Sequence, residues 1–265
     1  MSLAQEHLAA GRVRDALAAL QAEVRARPAD PKLRVFLFQL LCVLGQWPRA
    51  ATQLEVCGEL DASTLAMVNT YREALKCELV REAVFAGKTT PMVFGEPQPW
   101  VAWLIEALQA DARGDRAGAT RLRAEALEMA PTSAGSANGE PFEWIADADS
   151  RLGPVLEAVV NGRYCWIPFG ALSAVHMQAP EDLRDFVWQP AQLEFPNGGN
   201  SVALVPTRYC GVADGAADAE LLARTTEWDE LAPDQYAGHG QRLLATSGAE
   251  LGLLELRELV IEASE

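Results

Sequence analysis

Two glycines 34 residues apart impose a frame on the first half of the chain. From Gly11 the sequence reads G-x-V-x-x-A-x-x-x-L-x-x-E-x-x-x-x-P as far as Pro28, and from Gly45 it reads G-x-W-x-x-A-x-x-x-L-x-x-C. A third copy begins at Trp100, with Trp103, Gly114, Arg116, Ala119, Ala126 and Pro131 on the corresponding offsets. One such unit is too short to bury an apolar face by itself, so the pattern implies helix pairs that stack on their neighbours. Glycine suits the tight turn between the two helices, where φ is positive or a side chain would clash. Ala16, Ala50 and Ala119 let paired helices approach closely, while Pro28 and Pro131 stop the second helix of their units.

The spacing is the tetratricopeptide period, and stacks of that kind leave a concave face that holds a peptide or helix from a partner. A plainer reading stands beside it, in which three units only form a helical platform for the rest of the chain. Between the second and third copies, residues 63–86 read as one or two helices with a broken apolar stripe of Leu65, Val68, Ala74, Leu75, Leu79 and Phe85. Pro91, Gly95, Pro97 and Pro99 then mark residues 87–99 as a loop.

Charge divides the chain in two. Residues 1–139 carry 15 Lys+Arg against 16 Asp+Glu, a net of −1, whereas residues 140–265 carry 7 against 21, a net of −14. Such a field repels phosphates, which argues against nucleic acid or an anionic membrane surface as partner and favours a basic or neutral one. No stretch reaches the roughly 18 apolar residues of a spanning helix, and the N-terminal residues lack the basic-then-apolar order of an export signal. The expected location is the cytoplasm. Five cysteines (Cys42, Cys57, Cys77, Cys165 and Cys210), scattered without a C-x-x-C pair, read as reduced thiols packed as small hydrophobes.

Breakers in residues 131–141 (PTSAGSANGEP) read as a linker, giving a helical domain over residues 1–135 and an acidic α+β domain over residues 140–265. In the second domain Asp149 or Ser150 is expected to cap a helix running to about Val160, closed by Asn161-Gly162. Residues 164–169 read as a strand. Residues 192–195 and 201–207 read as a hairpin around Asn197-Gly198-Gly199-Asn200, and residues 241–246 and 253–261 as a pair around Ser247-Gly248. The fold class is α+β multidomain: a tetratricopeptide-like repeat, then a small domain with a mainly antiparallel sheet.

Signals for chemistry are weak. No phosphate-cradling loop is present, and Gly238-His239-Gly240 lacks the strand and helix context of a dinucleotide site. His7, His176 and His239 have no metal-ligand spacing, so neither a metal nor a cofactor is expected. Ser173 near His176 has no nucleophile elbow around it. Asp147 and Asp149 with Arg151 fit a charged helix N-terminus better than an acid–base pair. The four tryptophans of the acidic half, Trp144, Trp166, Trp188 and Trp228, mark either core or binding hot spots, and Asp229 and Glu230 beside Trp228 suit a basic partner.

Five ordered blocks carry a further signal: WIADADSRLGPVLEAVVNGRYCWIPF from Trp144, PEDLRDFVWQPAQLEF from Pro180, VALVPTRY from Val202, GQRLLATSG from Gly240 and LLELREL from Leu253. Together they resemble the ImpE/TagJ family of SciE-type virulence proteins, encoded with bacterial type VI secretion systems, and the likeness extends over the chain because that family also begins with tetratricopeptide-like helices. The resemblance implies a non-enzymatic cytoplasmic accessory protein. It further implies binding to the N-terminal helix of the sheath small subunit, TssB, with a link to the ClpV ATPase that recycles contracted sheath. No catalytic residue is implied. The Trp-bearing surface of the acidic domain, or its seam with the repeats, is the expected docking place. A general repeat scaffold in another assembly and a hydrolase in the acidic domain stay open as alternatives.

Overall fold

A computed structural model of the protein describes residues 2–212 and 215–263. The chain opens with α1 (Leu3–Ala9), α2 (Val13–Ala26), α3 (Pro31–Val43) and α4 (Trp47–Leu60), then a long α5 (Leu65–Phe85). A two-residue strand, β1 (Met92–Val93), precedes α6 (Pro99–Ala112) and α7 (Arg116–Met129). Gly11, Gly45 and Gly114 occupy the turns of the three helix pairs with φ of 75°, 64° and 78°, the geometry that the period implies. Ala16, Ala50 and Ala119 are fully buried where the paired helices meet.

The equivalent position nine residues after each turn glycine holds Leu20, Leu54 and Arg123. The first two fill the core; Arg123 is equally buried but donates from Nε to the Gln235 side chain at 2.8 Å and pairs with Asp111. One substitution of the repeat pattern thus ties the third unit to the second half of the chain.

That half is dominated by strands: β2 (Gly135–Ala137), β3 (Glu140–Phe142), β4 (Ile145–Asp147), β5 (Val155–Val160), β6 (Arg163–Pro168), β7 (Ala174–Met177), β8 (Trp188–Glu194) and β9 (Asn200–Pro206). A short α8 (Asp218–Leu221) leads to β10 (Thr226–Ala232), β11 (Gln235–Gly240), β12 (Leu243–Thr246), β13 (Glu250–Gly252) and β14 (Glu258–Ile261). The large sheet has the order β1-β6-β5-β9-β8-β7-β14-β2-β3, with β12 between β4 and β13 in a second sheet and β10-β11 alone in a third. All of these pairings are antiparallel except β1 with β6. The architecture is α+β, a helical first half followed by mainly antiparallel sheet.

Four local expectations are corrected. Residues 155–160 form a strand, not a helix: all six are buried, and a strand covered on both faces reads as an unbroken apolar run without period. Asn161-Gly162, with φ of 49° and 71°, is then the two-residue turn of the β5–β6 hairpin, not a helix cap. Residues 131–141 are not a free linker, because Asn138 and Gly139 (φ 50° and 85°) turn β2 into β3 at the edge of the large sheet. In the last segment β12 pairs with β13, Leu244 opposite Leu251, while β14 leaves to insert between β7 and β2. The loop at residues 87–99 also contains β1.

The halves share their cores. Val187, Trp188, Leu221 and Leu222 pack in one cluster with Leu37, Phe38, Trp47 and Leu54 of the helices, and Leu152, Tyr164 and Trp166 join Val84, Trp100 and Leu104 in another. Asp218 accepts from the Val13 backbone N–H at 2.9 Å, capping α2, which has no side-chain cap of its own.

At the end of α5, Gly87 (φ 66°) would place a Cβ 2.6 Å from that of Ala112 and 2.8 Å from the Leu108 carbonyl oxygen. Gly87→Ala is therefore expected to cost about 2 kcal/mol from strain and overpacking. A lowered urea midpoint at unchanged slope checks this; an unchanged midpoint would show that α5 and α6 can move apart freely.

Candidate protein-binding site

The seam between the halves is built on buried charge. Arg81 of α5 donates from Nε to Glu157 Oε1 at 2.7 Å and from its second arm to Oε2 at 2.9 Å, and a third bond reaches the Arg208 carbonyl at 2.8 Å. Tyr164 Oη also donates to Glu157, and Arg242 bridges Glu157 to Asp147. Arg208 donates to the Val43 and Cys42 carbonyls at the end of α3, so an arginine of the second half caps a helix of the first. Arg81 meets Glu78 and Glu157, Arg242 meets Asp147 and Glu157, and Arg151 meets Asp149, so each of these arginines has a carboxylate partner.

Burial alone would raise the Glu157 carboxyl, but Arg81 and Arg242, with hydrogen bonds from Arg81 and Tyr164, hold it at about 2. Burial wins at Asp147, pushing it up to about 6, because Arg242 shares its charge with Glu157 and Asp149 lies close by. Arg208 is pulled down by burial to about 10 and stays protonated at neutral pH. The cavity beside Arg81 and Arg208 measures about 30 Å³, room for about one water molecule.

The Asp147 shift has a sign that can be tested. A folded carboxyl above its unfolded value near 3.9 penalises the ionised native state, so this contribution improves as pH falls from 7.5 through 6 toward 4. Asp147→Asn is expected to flatten that rise by about 1 kcal/mol between pH 7.5 and pH 5 in urea titrations. Identical pH profiles for the two proteins would refute the assignment.

Next to this seam, α1 to α3 and the turn Leu183–Phe186 enclose a groove of about 720 Å³. Its floor is apolar, with Leu8, Leu33 and Phe36 from the helices facing Leu183, Phe186 and Leu222 from the second half. One rim carries Glu23, Arg27, Asp30 and Lys32, and the other Glu181, Asp182 and Arg224. The turn is fixed before any ligand arrives: Asp185 accepts from the Glu181 and Asp182 backbone N–H groups at 2.7 and 2.9 Å, and Asp182 from that of Arg184 at 2.7 Å. Burial would raise Asp182, but its bonds from Arg184 hold it below the usual carboxylate range.

The tryptophans separate into two kinds. Trp166 and Trp188 are fully buried, the core role of the two that the sequence allows. Trp188 donates to Glu78 at 2.8 Å and packs between Trp47 and Tyr71, while Trp166 donates to Tyr164 Oη within β6 and packs against Phe85 of α5, so both join the halves. Trp144 and Trp228 are 40% and 37% exposed. On the β10–β11 hairpin, Trp228 opposite Gly238 and Glu230 opposite Tyr236 share one face. Asp229 points to the other, where it meets His239 Nε2 at 2.8 Å. Asp147 and Asp149 cap no helix; Asp147 pairs with Arg242 and Asp149 with Arg151. His176 lies 3.6 Å from both Glu194 and Glu258. Among the described residues no group of three or more His, Cys, Asp or Glu is arranged to hold a metal ion, and no helix is long and apolar enough to cross a membrane.

Fold, shared core and ordered sequence blocks together define a member of the ImpE family, whose model, described as "ImpE protein", matches residues 139–260. The chain belongs to that family. It is 50% identical, over 99% of its own length and 92% of the relative's, to the type VI secretion system accessory component TagJ of Pseudomonas aeruginosa. The crystal structure of protein VPA1032 from Vibrio parahaemolyticus superposes with a TM-score of 0.91 over 98% of both chains at 24% identity, a likeness of fold.

Proposed function

We propose that this protein is a non-enzymatic, cytoplasmic accessory adaptor of a bacterial type VI secretion system. In this reading the groove between α1–α3 and Leu183–Phe186 takes the N-terminal helix of the sheath small subunit TssB and links the sheath to the ClpV ATPase. Residues 1–135 furnish one wall and residues 140–265 the other. The observation that carries it is the groove itself, preformed, apolar along its floor and of mixed charge at both rims, in a chain half identical to a type VI accessory component. An amphipathic helix laying its i, i+3, i+4, i+7 face on such a floor needs no bond chemistry from the protein.

The test is fluorescence anisotropy with a labelled peptide of the TssB first helix and the full chain, alongside co-purification with tagged TssB lacking that helix. Saturable binding, and loss of co-purification on deletion, are expected. A second reading keeps the same partner but places it on the hairpin at Trp228, Glu230 and Tyr236, supported by two partly exposed aromatics in an acidic setting, although Trp228 also packs on the buried Tyr209 ring. Turnover of a small molecule abolished by one substitution would instead favour a hydrolase.

A further inference from the structure

The β10–β11 hairpin has one edge fastened and one open. β11 is the inner strand: Tyr236 donates its N–H to Ser150 Oγ at 3.0 Å and accepts from the Ser150 N–H at 2.9 Å, Gly238 donates to Asp149 at 3.0 Å, and the Gly240 carbonyl accepts from the Tyr209 N–H at 2.9 Å. Backbone groups alternate sides along an antiparallel strand, so Ala237 and His239 of β11 turn theirs to Asp229 and Glu227 of β10. The N–H and C=O of Trp228 and Glu230 therefore point away from the hairpin, and β10 pairs with no second strand among the described residues. Glu227, Trp228, Asp229 and Glu230 are all exposed, so neither face of this stretch is covered.

The edges of the other sheets are blunted. β1 has two residues, β4 and β13 have three each, and β3 has three with Pro141 among them. β10 has seven and no proline. It is guarded by the charges of Glu227, Asp229 and Glu230 and by a bulge beyond Glu230.

We propose that β10 takes an extended, basic segment of a partner protein as a third strand of this sheet. Unpaired backbone groups at strand spacing call for another strand, and a helix, whose own N–H and C=O groups are bonded within it, does not satisfy them. Side-chain charge then selects among strands. Lys or Arg opposite Glu227 and Asp229 lies on one face, where Asp229 also meets His239, and apolar residues between them pack on the face of Trp228 and Tyr236. A second copy of the chain is a poor match, because two β10 strands would set carboxylates against each other. None of these residues lines the helix groove, so the two surfaces are separate.

The test follows amide hydrogen exchange by NMR in the full 15N-labelled chain, with a Lys-Val repeat peptide, a Glu-Val repeat and a Lys-Pro repeat of equal length. The last keeps the charge but has proline at the positions whose N–H would meet β10. The Trp228 and Glu230 amides are expected to exchange freely in the unliganded chain and about tenfold more slowly with the Lys-Val peptide alone. Glu230→Pro, which removes an outward N–H and leaves the β11 pairing in place, is expected to abolish the slowing at Trp228, and Glu227→Lys to weaken Lys-Val binding about tenfold, both at an unchanged urea midpoint. No slowing with the Lys-Val peptide, equal slowing with Lys-Pro, or slowing that survives Glu230→Pro overturns the proposal. Protection that grows with protein concentration alone also overturns it, and assigns the edge to a second copy.

Discussion

Arg81→Ala is expected to lower folding stability by about 3–5 kcal/mol, a large part of what a domain possesses. The loss comes less from the missing attraction than from what is left behind: Glu157, fully buried, would keep its charge with only Arg242 and the Tyr164 hydroxyl beside it. The Arg208 carbonyl would lose a donor as well. Urea denaturation measures the effect, and a double-mutant cycle with Glu157→Met explains it. Arg81→Met with Glu157→Met removes both charges and is expected to recover much of the loss, since well-packed apolar pairs often match buried ion pairs. A single-variant loss under about 1 kcal/mol, or simple additivity, would mean that water reaches the pair and that the seam is not held as described.

For the helix groove, Phe36→Ala and Leu183→Ala are each expected to weaken binding of the TssB helix by about 2 kcal/mol, or thirtyfold. Phe36 comes from α3 and Leu183 from the second half, both line the groove and both are half-buried, so truncating either removes apolar lining. Trp144→Ala and Trp228→Ala serve as comparisons, with changes below about threefold. The reverse ranking, a large loss at Trp228 and none at Phe36, transfers the helix to the hairpin face. Retained circular dichroism and urea midpoint in each variant separate lost contacts from lost fold.

The helical half was legible in its sequence because a 34-residue period with glycine at each turn admits few structures, and Gly11, Gly45 and Gly114 adopt the positive φ that the pattern demands. The β8–β9 hairpin was legible from Asn and Gly at its turn. What misled was burial on both sides. Leu152, Leu156, Val159 and Val160 fall at spacings that fit one face of a helix, and only a cover on each face of β5 explains why Glu157 and Ala158 are buried too. Asn-Gly served equally well as helix cap or hairpin turn, and long-range pairing decided it. The seam left a single trace, the interruption of the α5 stripe by Glu78 and Arg81, whose partners Trp188 and Glu157 are 110 and 76 residues away. Likewise Leu183 and Phe36 form one groove only because the chain returns to α3 after about 150 residues.

Strand β1, two residues that precede α6 and hydrogen-bond in parallel to β6, makes the boundary near residue 135 a poor place to cut or to splice. A chimera joining residues 1–135 of one relative to the remainder of another would carry a foreign edge strand against β6, together with an Arg81 and an Asp218 site whose counterparts were selected elsewhere. Exchange of specificity between relatives is better attempted by grafting the groove-facing side chains than by swapping halves.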